Sequence, residues 1–240
     1  MEKPHLLTQS LKKRPKAIML SFGDVSPFVE EIKAASIPLI CQVQSVSQAI
    51  DCIEKGADII VAQGTEAGGH GACYGSISLI PSIVDALPSV PVIAAGGICD
   101  ARGIEAACDL GAVGVLMGTR FFASNEALAS DSAKAQLIRT SGEDTIRTNV
   151  FDYARGYIWP QPYTARALKN KFTQRWHGQA CLQEKISAAI RQSYQEDTIK
   201  NNFEEAAIFA GEGVGLIHEI HSAKKIVAQL SKNIRFTKGK

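Results

Sequence analysis

Long hydrophobic runs are missing from this sequence. No uninterrupted apolar stretch reaches the ~20 residues a membrane-spanning helix needs, and Met1-Glu2-Lys3-Pro4-His5 leads into no signal-length apolar segment. A surplus of one charge is missing too. Twenty-six basic residues stand against 24 acidic ones, a net +2 that gives no ground for a polyanionic partner. The one basic cluster, Lys12-Lys13-Arg14, is too short to argue for nucleic acid and reads as a solvated helix end. The six cysteines form no CxxC pair and no ladder of short spacings, and several sit in apolar runs as small hydrophobes, which favours a reducing compartment. Together these absences lead to the expectation of a soluble, cytoplasmic protein with no membrane or nucleic-acid partner.

What is present is an alternation. With 240 residues and 45% hydrophobic content the chain can bury a full-sized core. Residues 1–14 read as the end of a helix, with Leu6, Leu7 and Leu11 on one face, closed by basic residues and Pro15. Apolar strands are then expected at 16–22, 37–43, 57–62, 90–95 and 112–117, with helices at 26–35, 46–55, 78–87 and 101–110 between them. The punctuation agrees: Pro27 lies in a first turn, Ser45 and Asp100 sit at N-caps, and Gly56 and Gly111 at C-terminal stops. Short apolar strands alternating with amphipathic helices predict a parallel sheet covered by helices.

Two architectures fit that alternation, the doubly wound open sheet and the (β/α)8 barrel. No GxGxxG follows the first strand, and glycines gather at the C-terminal ends of the last three strands, the ligand face of a barrel. The expected fold is therefore α/β, a TIM-type (β/α)8 barrel. Only about five βα units are present where a closed barrel needs eight, so the barrel is expected to be incomplete. Residues 1–122 form this partial barrel, and residues 123–240 a mostly helical segment packed on it. Within the latter, 125–139 and 179–192 read as helical and 141–166 as irregular around Trp159-Pro160-Gln161-Pro162.

The stretch that organises the rest is Gln63-Gly64-Thr65-Glu66-Ala67-Gly68-Gly69-His70-Gly71. Its glycines let the backbone lie close to a flat or charged ligand, and His70 places a group that titrates near neutrality among them. A glycine-rich surface loop with a solvated histidine is the alternative. Ala95-Gly96-Gly97-Ile98 and Met117-Gly118-Thr119-Arg120 each lie where a strand gives way to a helix, which suits a phosphate held by free amides, with Thr119 adding a hydroxyl. Gln63 has an amide suited to a heterocycle edge, or is a buried, satisfied glutamine. His218 and His221 have no carboxylate or cysteine at ligand spacing and are not expected to hold a metal. Trp159, Tyr163 and Trp176 read as packing residues.

The loops at 63–71, 94–98 and 114–121, with Ser21-Phe22-Gly23, Cys41-Gln42-Val43, Arg166-Ala-Leu-Lys-Asn170 and Gly211-Glu-Gly-Val-Gly-Leu-Ile217, resemble the nitronate monooxygenase family, from about Leu6 to Leu230. The resemblance implies an FMN-dependent TIM-barrel enzyme that oxidises alkyl nitronates or nitroalkanes with dioxygen. It implies that Gly97 and Leu116-Met117-Gly118-Thr119 hold the FMN phosphate, that Gln63 and Gly68 lie against the flavin, and that His70 is the base or the partner of the anionic nitronate. It also implies that family members begin with further βα units that are not seen before Met1. On that expectation residues 1–240 alone would bind FMN weakly and self-associate through open sheet edges. Two other readings stand beside this one: an FMN-dependent enoyl-thioester reductase, since related barrels share the glycine turns, and a degenerate barrel fragment that binds a phosphate or a partner chain.

Overall fold

The apolar runs become strands wherever a neighbouring run can pair with them, and the amphipathic segments between them become helices. The computed structural model describes residues 4–232, and Met1–Lys3 of the expected first helix lie outside them. In chain order the first half holds α1 (Pro4–Leu11), β1 (Ile18–Ser21), α2 (Ser26–Ala34), β2 (Leu39–Val43), α3 (Val46–Lys55), β3 (Ile59–Gln63), β4 (Gly69–Gly71), α4 (Ser76–Ala86), β5 (Val92–Ala95), α5 (Ala101–Asp109) and β6 (Gly114–Leu116). Then follow α6 (Thr119–Phe122), α7 (Asp131–Leu137), β7 (Thr145–Thr148), α8 (Val150–Ala154), β8 (Thr164–Leu168), α9 (Lys171–Trp176), α10 (Leu182–Lys185), α11 (Ala188–Ile199) and α12 (Ala223–Ser231), with 3-10 turns at Gly142–Asp144 and Glu212–Leu216. Among the described residues no helix is long and apolar enough to cross a membrane.

The contacts group the chain into two units. The first contains 1–64, 74–95 and 106–116. Its sheet runs β1-β2-β3-β5-β6, parallel throughout, so strands adjacent in this unit's sequence are adjacent in space. A doubly wound sheet reverses its order at a switch point, and this one does not; the order is that of a barrel wall. On β3, Ile60, Val61 and Ala62 are fully buried in succession, as in a parallel strand covered on both faces. The outer strands are β1 and β6, and Met19 on β1 is 45% exposed.

Local signals act here as anticipated. Ser45 Oγ accepts the Gln48 amide at 3.2 Å, and Gly56 closes α3 with φ 114°. Other details differ. Leu6 is 51% exposed, so only Leu7 and Leu11 of the three leucines turn inward. α4 begins at Ser76, which places Pro81 inside the helix instead of near its start. The carbonyl that Pro81 cannot serve belongs to Ile77, a residue 70% exposed, where water can satisfy it.

The second unit contains 65–73, 96–105 and the chain from Met117 onward. The region 141–166, expected to be irregular, carries β7, α8 and the start of β8. With β4 these strands form an antiparallel sheet of order β4-β8-β7. The expected helix at 179–192 is instead α10 and α11, because Ser187 caps a new helix there, its side chain accepting from the Ile190 amide. The expected helix at 125–139 shortens to α7. One apolar cluster gathers Cys99, Leu137, Leu168, Ile208, Val214 and Ile217, and another Phe151, Phe172, Leu182 and Tyr194.

The 3-10 turn Glu212–Leu216 lies directly on main chain from other loops. A Cβ on Gly68 would come within 2.6 Å of the Ala210 carbonyl carbon, and one on Gly213 would run into the Gly97 carbonyl oxygen. Gly213→Ala is therefore expected to cost about 1–3 kcal/mol of stability, as overpacking against backbone does. Gly114→Ala, where an added methyl meets nothing within 4 Å, should be neutral or stabilise by about 0.4–1 kcal/mol through the unfolded chain. Urea unfolding of the two variants checks this; equal effects would contradict the close-contact account.

Candidate functional site

His70 is the middle residue of β4, a three-residue strand rather than a free loop. It pairs with Ala165, which pairs on its other side with Thr148. Strand alternation puts these three on one face of the small sheet and Gly69, Arg166 and Arg147 on the other. On its face, His70 Nε2 lies 2.9 and 3.0 Å from the two carboxylate oxygens of Asp152, a residue of α8 that is 1% exposed. A carboxylate accepts, so in this contact Nε2 carries the proton and donates it.

Trp159 stacks on the imidazole with ring centroids 3.8 Å apart and planes 15° from parallel, and the Phe209 ring is 6.3 Å away. Trp159, expected to be only a packing residue, packs on the imidazole itself. With Gly69, Arg155, Tyr157 and Phe209 these residues line a cleft of about 450 Å³. The Arg155 guanidinium lies 5.1 Å from the centre of the Tyr157 ring and 5.8 Å from that of Phe209.

The glycine turns of this unit stand as follows. Gly97 has φ +70°, and a Cβ there would meet the Glu66 side chain at 3.1 Å. Gly118 is exposed, precedes α6, and has open space where a Cβ would point. Thr119 Oγ1 accepts the Gly211 amide at 2.9 Å, which leaves its O–H to donate. α6 is only four residues long. So short a helix has a weak dipole, and an anion here would rest on amides and the hydroxyl. Met117 is half-buried ahead of this turn. Gly68 is accounted for by the close approach of Ala210 and Gly211. Asp100 caps α5 through the Arg102 and Gly103 amides, 3.0 and 3.3 Å away, and the hydrogen-bonded Arg102 side chain holds its carboxyl below the usual range.

In the first unit, Gln63 ends β3 at 6% exposure, and its Oε1 accepts from Gln42 Nε2 at 3.1 Å and Gln44 Nε2 at 2.7 Å. Leu116 ends β6, half-buried. Sequence reasoning missed Asp152, Arg147, Arg155 and Phe209. The one available signal for Asp152 was an acid set alone in the apolar run Val150-Phe151-Asp152-Tyr153-Ala154. His221 Nε2 lies 2.7 Å from Glu219, an acid that the sequence reading did not credit to it.

Consecutive parallel βα units, glycine turns at strand ends and an acid-anchored histidine define an α/β protein of enzyme type. The sequence model of the nitronate monooxygenase family matches residues 4–233, and the chain belongs to that family of oxidoreductases. It is 33% identical to the nitronate monooxygenase npaC of Metarhizium robertsii, over 93% of this chain and 68% of that one. It is 34% identical to a probable nitronate monooxygenase of Bacillus subtilis, over 92% of this chain and 64% of the relative. A probable nitronate monooxygenase of Staphylococcus aureus is 39% identical over 68% of this chain and 46% of its own length. Thus the chain spans about half to two thirds of the length of these relatives. Among solved structures, FabK from Thermotoga maritima superposes with a TM-score of 0.80 at 27% identity, over 95% of this chain and 70% of that one. Nitroalkane oxidase from Streptomyces ansochromogenes superposes at 0.77 with 24% identity, over 93% and 65%, a likeness of fold alone.

Proposed function

We propose that this chain acts in the FMN-dependent oxidation of alkyl nitronates and nitroalkanes by dioxygen, with His70 as the proton acceptor. The observation that carries the reading is the contact of His70 Nε2 with both oxygens of buried Asp152, in a chain of the nitronate monooxygenase family. Asp152 fixes the ring and its tautomer, so that Nδ1 takes the α-proton of a neutral nitroalkane. The imidazolium so formed is stabilised by the carboxylate behind it. With a preformed nitronate there is no α-proton to take, and His70 protonated from solvent would steady the anion. Trp159 and Phe209 supply apolar walls beside the imidazole.

The residues of the second unit fit an FMN phosphate. Gly118 is exposed with open space around its α-carbon, and the Thr119 hydroxyl has a hydrogen to donate. In this reading Gly97, Met117, Gly118 and Thr119 hold the phosphate and Gly68 lies against the flavin. FMN bound there would supply the electron acceptor between the substrate and dioxygen, for a reaction that yields a carbonyl compound and nitrite. A second reading, an FMN-dependent enoyl-thioester reductase, is kept in view by the likeness to FabK; consumption of NAD(P)H with an enoyl thioester would favour it.

His70→Gln keeps an amide at about the reach of Nε2 that can donate to Asp152, so the fold should persist. In the flavin-loaded enzyme it is expected to cut turnover of neutral nitroalkanes by about 10²–10⁴-fold, with a much smaller loss on preformed nitronates. Equal loss on both substrates would point to a binding role. Gly118→Val is expected to lower FMN retained through purification without changing the unfolding midpoint, since φ −93° suits any L-residue and the added side chain meets no protein atom within 4 Å at Cβ. Unchanged flavin content would sink the phosphate assignment.

A further inference from the structure

Arg147 on β7 and Arg166 on β8 are cross-strand partners, so two guanidinium groups share the sheet face opposite His70. Like charges directly opposed across a strand pair destabilise it. Burial adds to that cost, and Arg147 Nη2 is buried without a hydrogen-bond partner among the described residues. Burial first, and the neighbouring Arg166 second, bring the Arg147 pKa down to about 10. What offsets these costs is a set of main-chain oxygens. Arg147 Nε donates to the Thr65 carbonyl at 3.1 Å and to Thr65 Oγ1 at 3.0 Å. Its Nη1 donates to the Gly71 carbonyl at 3.1 Å and the Thr164 carbonyl at 2.7 Å.

Thr65 and Gly71 bracket the segment that carries His70. One planar guanidinium therefore ties both ends of that segment to β7 and β8. A lysine ammonium, a single point on a flexible stem, cannot span two such places. Arg166 plays a different part: its Nε also reaches the Thr65 carbonyl, at 3.0 Å, but its Nη2 pairs with Glu212 at 2.8 Å and so ties the loop to the tail. A guanidinium placed only for an ion pair would sit on a carboxylate; Arg147 makes no hydrogen bond to one among the described residues and sits on the backbone of one segment.

We propose that Arg147 is a positioning residue for His70: by fixing the span from Thr65 to Gly71 it keeps the imidazole within reach of Asp152. The inference rests on the reading of His70 as the proton acceptor. Arg147→Lys keeps the charge and most of the packing. Hydrogen–deuterium exchange in the 65–73 peptide of this variant is expected to quicken about tenfold or more, the scale of a lost charged hydrogen bond, while the 59–63 strand stays as in the wild type. In the flavin-loaded enzyme, kcat on a neutral nitroalkane should fall about 10–100-fold, as a misplaced base does, with KM within about threefold. Added methylguanidine should restore kcat to Arg147→Ala. Unchanged exchange in 65–73 would overturn the inference alone. Equal losses in kcat and in substrate binding, with no rescue by methylguanidine, would reduce Arg147 to a stabilising residue and overturn it as well. A wild-type enzyme silent on nitroalkanes would overturn the reading of His70 and the inference with it.

Discussion

Main chain laid directly on main chain is the constraint on which the candidate site depends. The segment 210–213 touches three loops that are far apart in sequence. Gly68 faces Ala210 and Gly211, Gly97 faces Gly213, and the Gly211 amide donates to Thr119 Oγ1. The Glu212 amide adds a hydrogen bond of 2.9 Å to the Glu66 carbonyl. The contacts at Gly68 and Gly213 need glycine, because a methyl group would occupy the space the other backbone fills. The segment that carries His70, the Gly97 turn and the Thr119 turn are thereby held by one short piece of tail. Gly68, which read as permissive for a ligand, is first of all permissive for the protein itself, as is Gly213.

Upon that frame the charges are arranged on two faces of one small sheet. His70 and Asp152 meet on one face, Arg147 and Arg166 lie on the other. The two faces do different work. A buried carboxylate left alone is costly, about 3–5 kcal/mol when its partner is removed, so Asp152 and the imidazole hold each other in place. Arg166 pairs with Glu212, and both arginines are held by carbonyls of the segment that carries the imidazole. The chemistry proposed for Nδ1 depends on both: Asp152 decides where the proton sits, and the arginines decide where the ring sits.

The sheet of βα units was legible because its signals are local. Apolar runs, the Ser45 and Asp100 caps and the Gly56 stop announce themselves within a few residues. The antiparallel sheet was not. Thr145-Ile-Arg-Thr148 and Thr164-Ala-Arg-Ala-Leu168 carry arginine where a strand would show an apolar residue, and Gly69-His-Gly71 has no strand propensity at all; its pairing is decided by β8, far along the chain. His70 could be picked out by its residue type and its glycines. Asp152 could not, because what distinguishes it is burial beside the imidazole, which sequence spacing does not show. Gln63 read as suited to a heterocycle edge or as a buried, satisfied glutamine, and its carbonyl oxygen accepts from two other glutamines. Trp159 illustrates the same limit, since a stack between distant residues leaves no trace in either neighbourhood.

The claim on which this account turns is that His70 holds its proton on Nε2, against Asp152, and its lone pair on Nδ1. The imidazole nitrogen-15 spectrum of the labelled chain reads this directly, in the wild type and in Asp152→Asn. The account predicts a single Nε2–H tautomer for neutral His70 in the wild type and a mixture of tautomers once the carboxylate is gone. A wild-type ring with its proton on Nδ1, or a spectrum indifferent to Asp152→Asn, would contradict it.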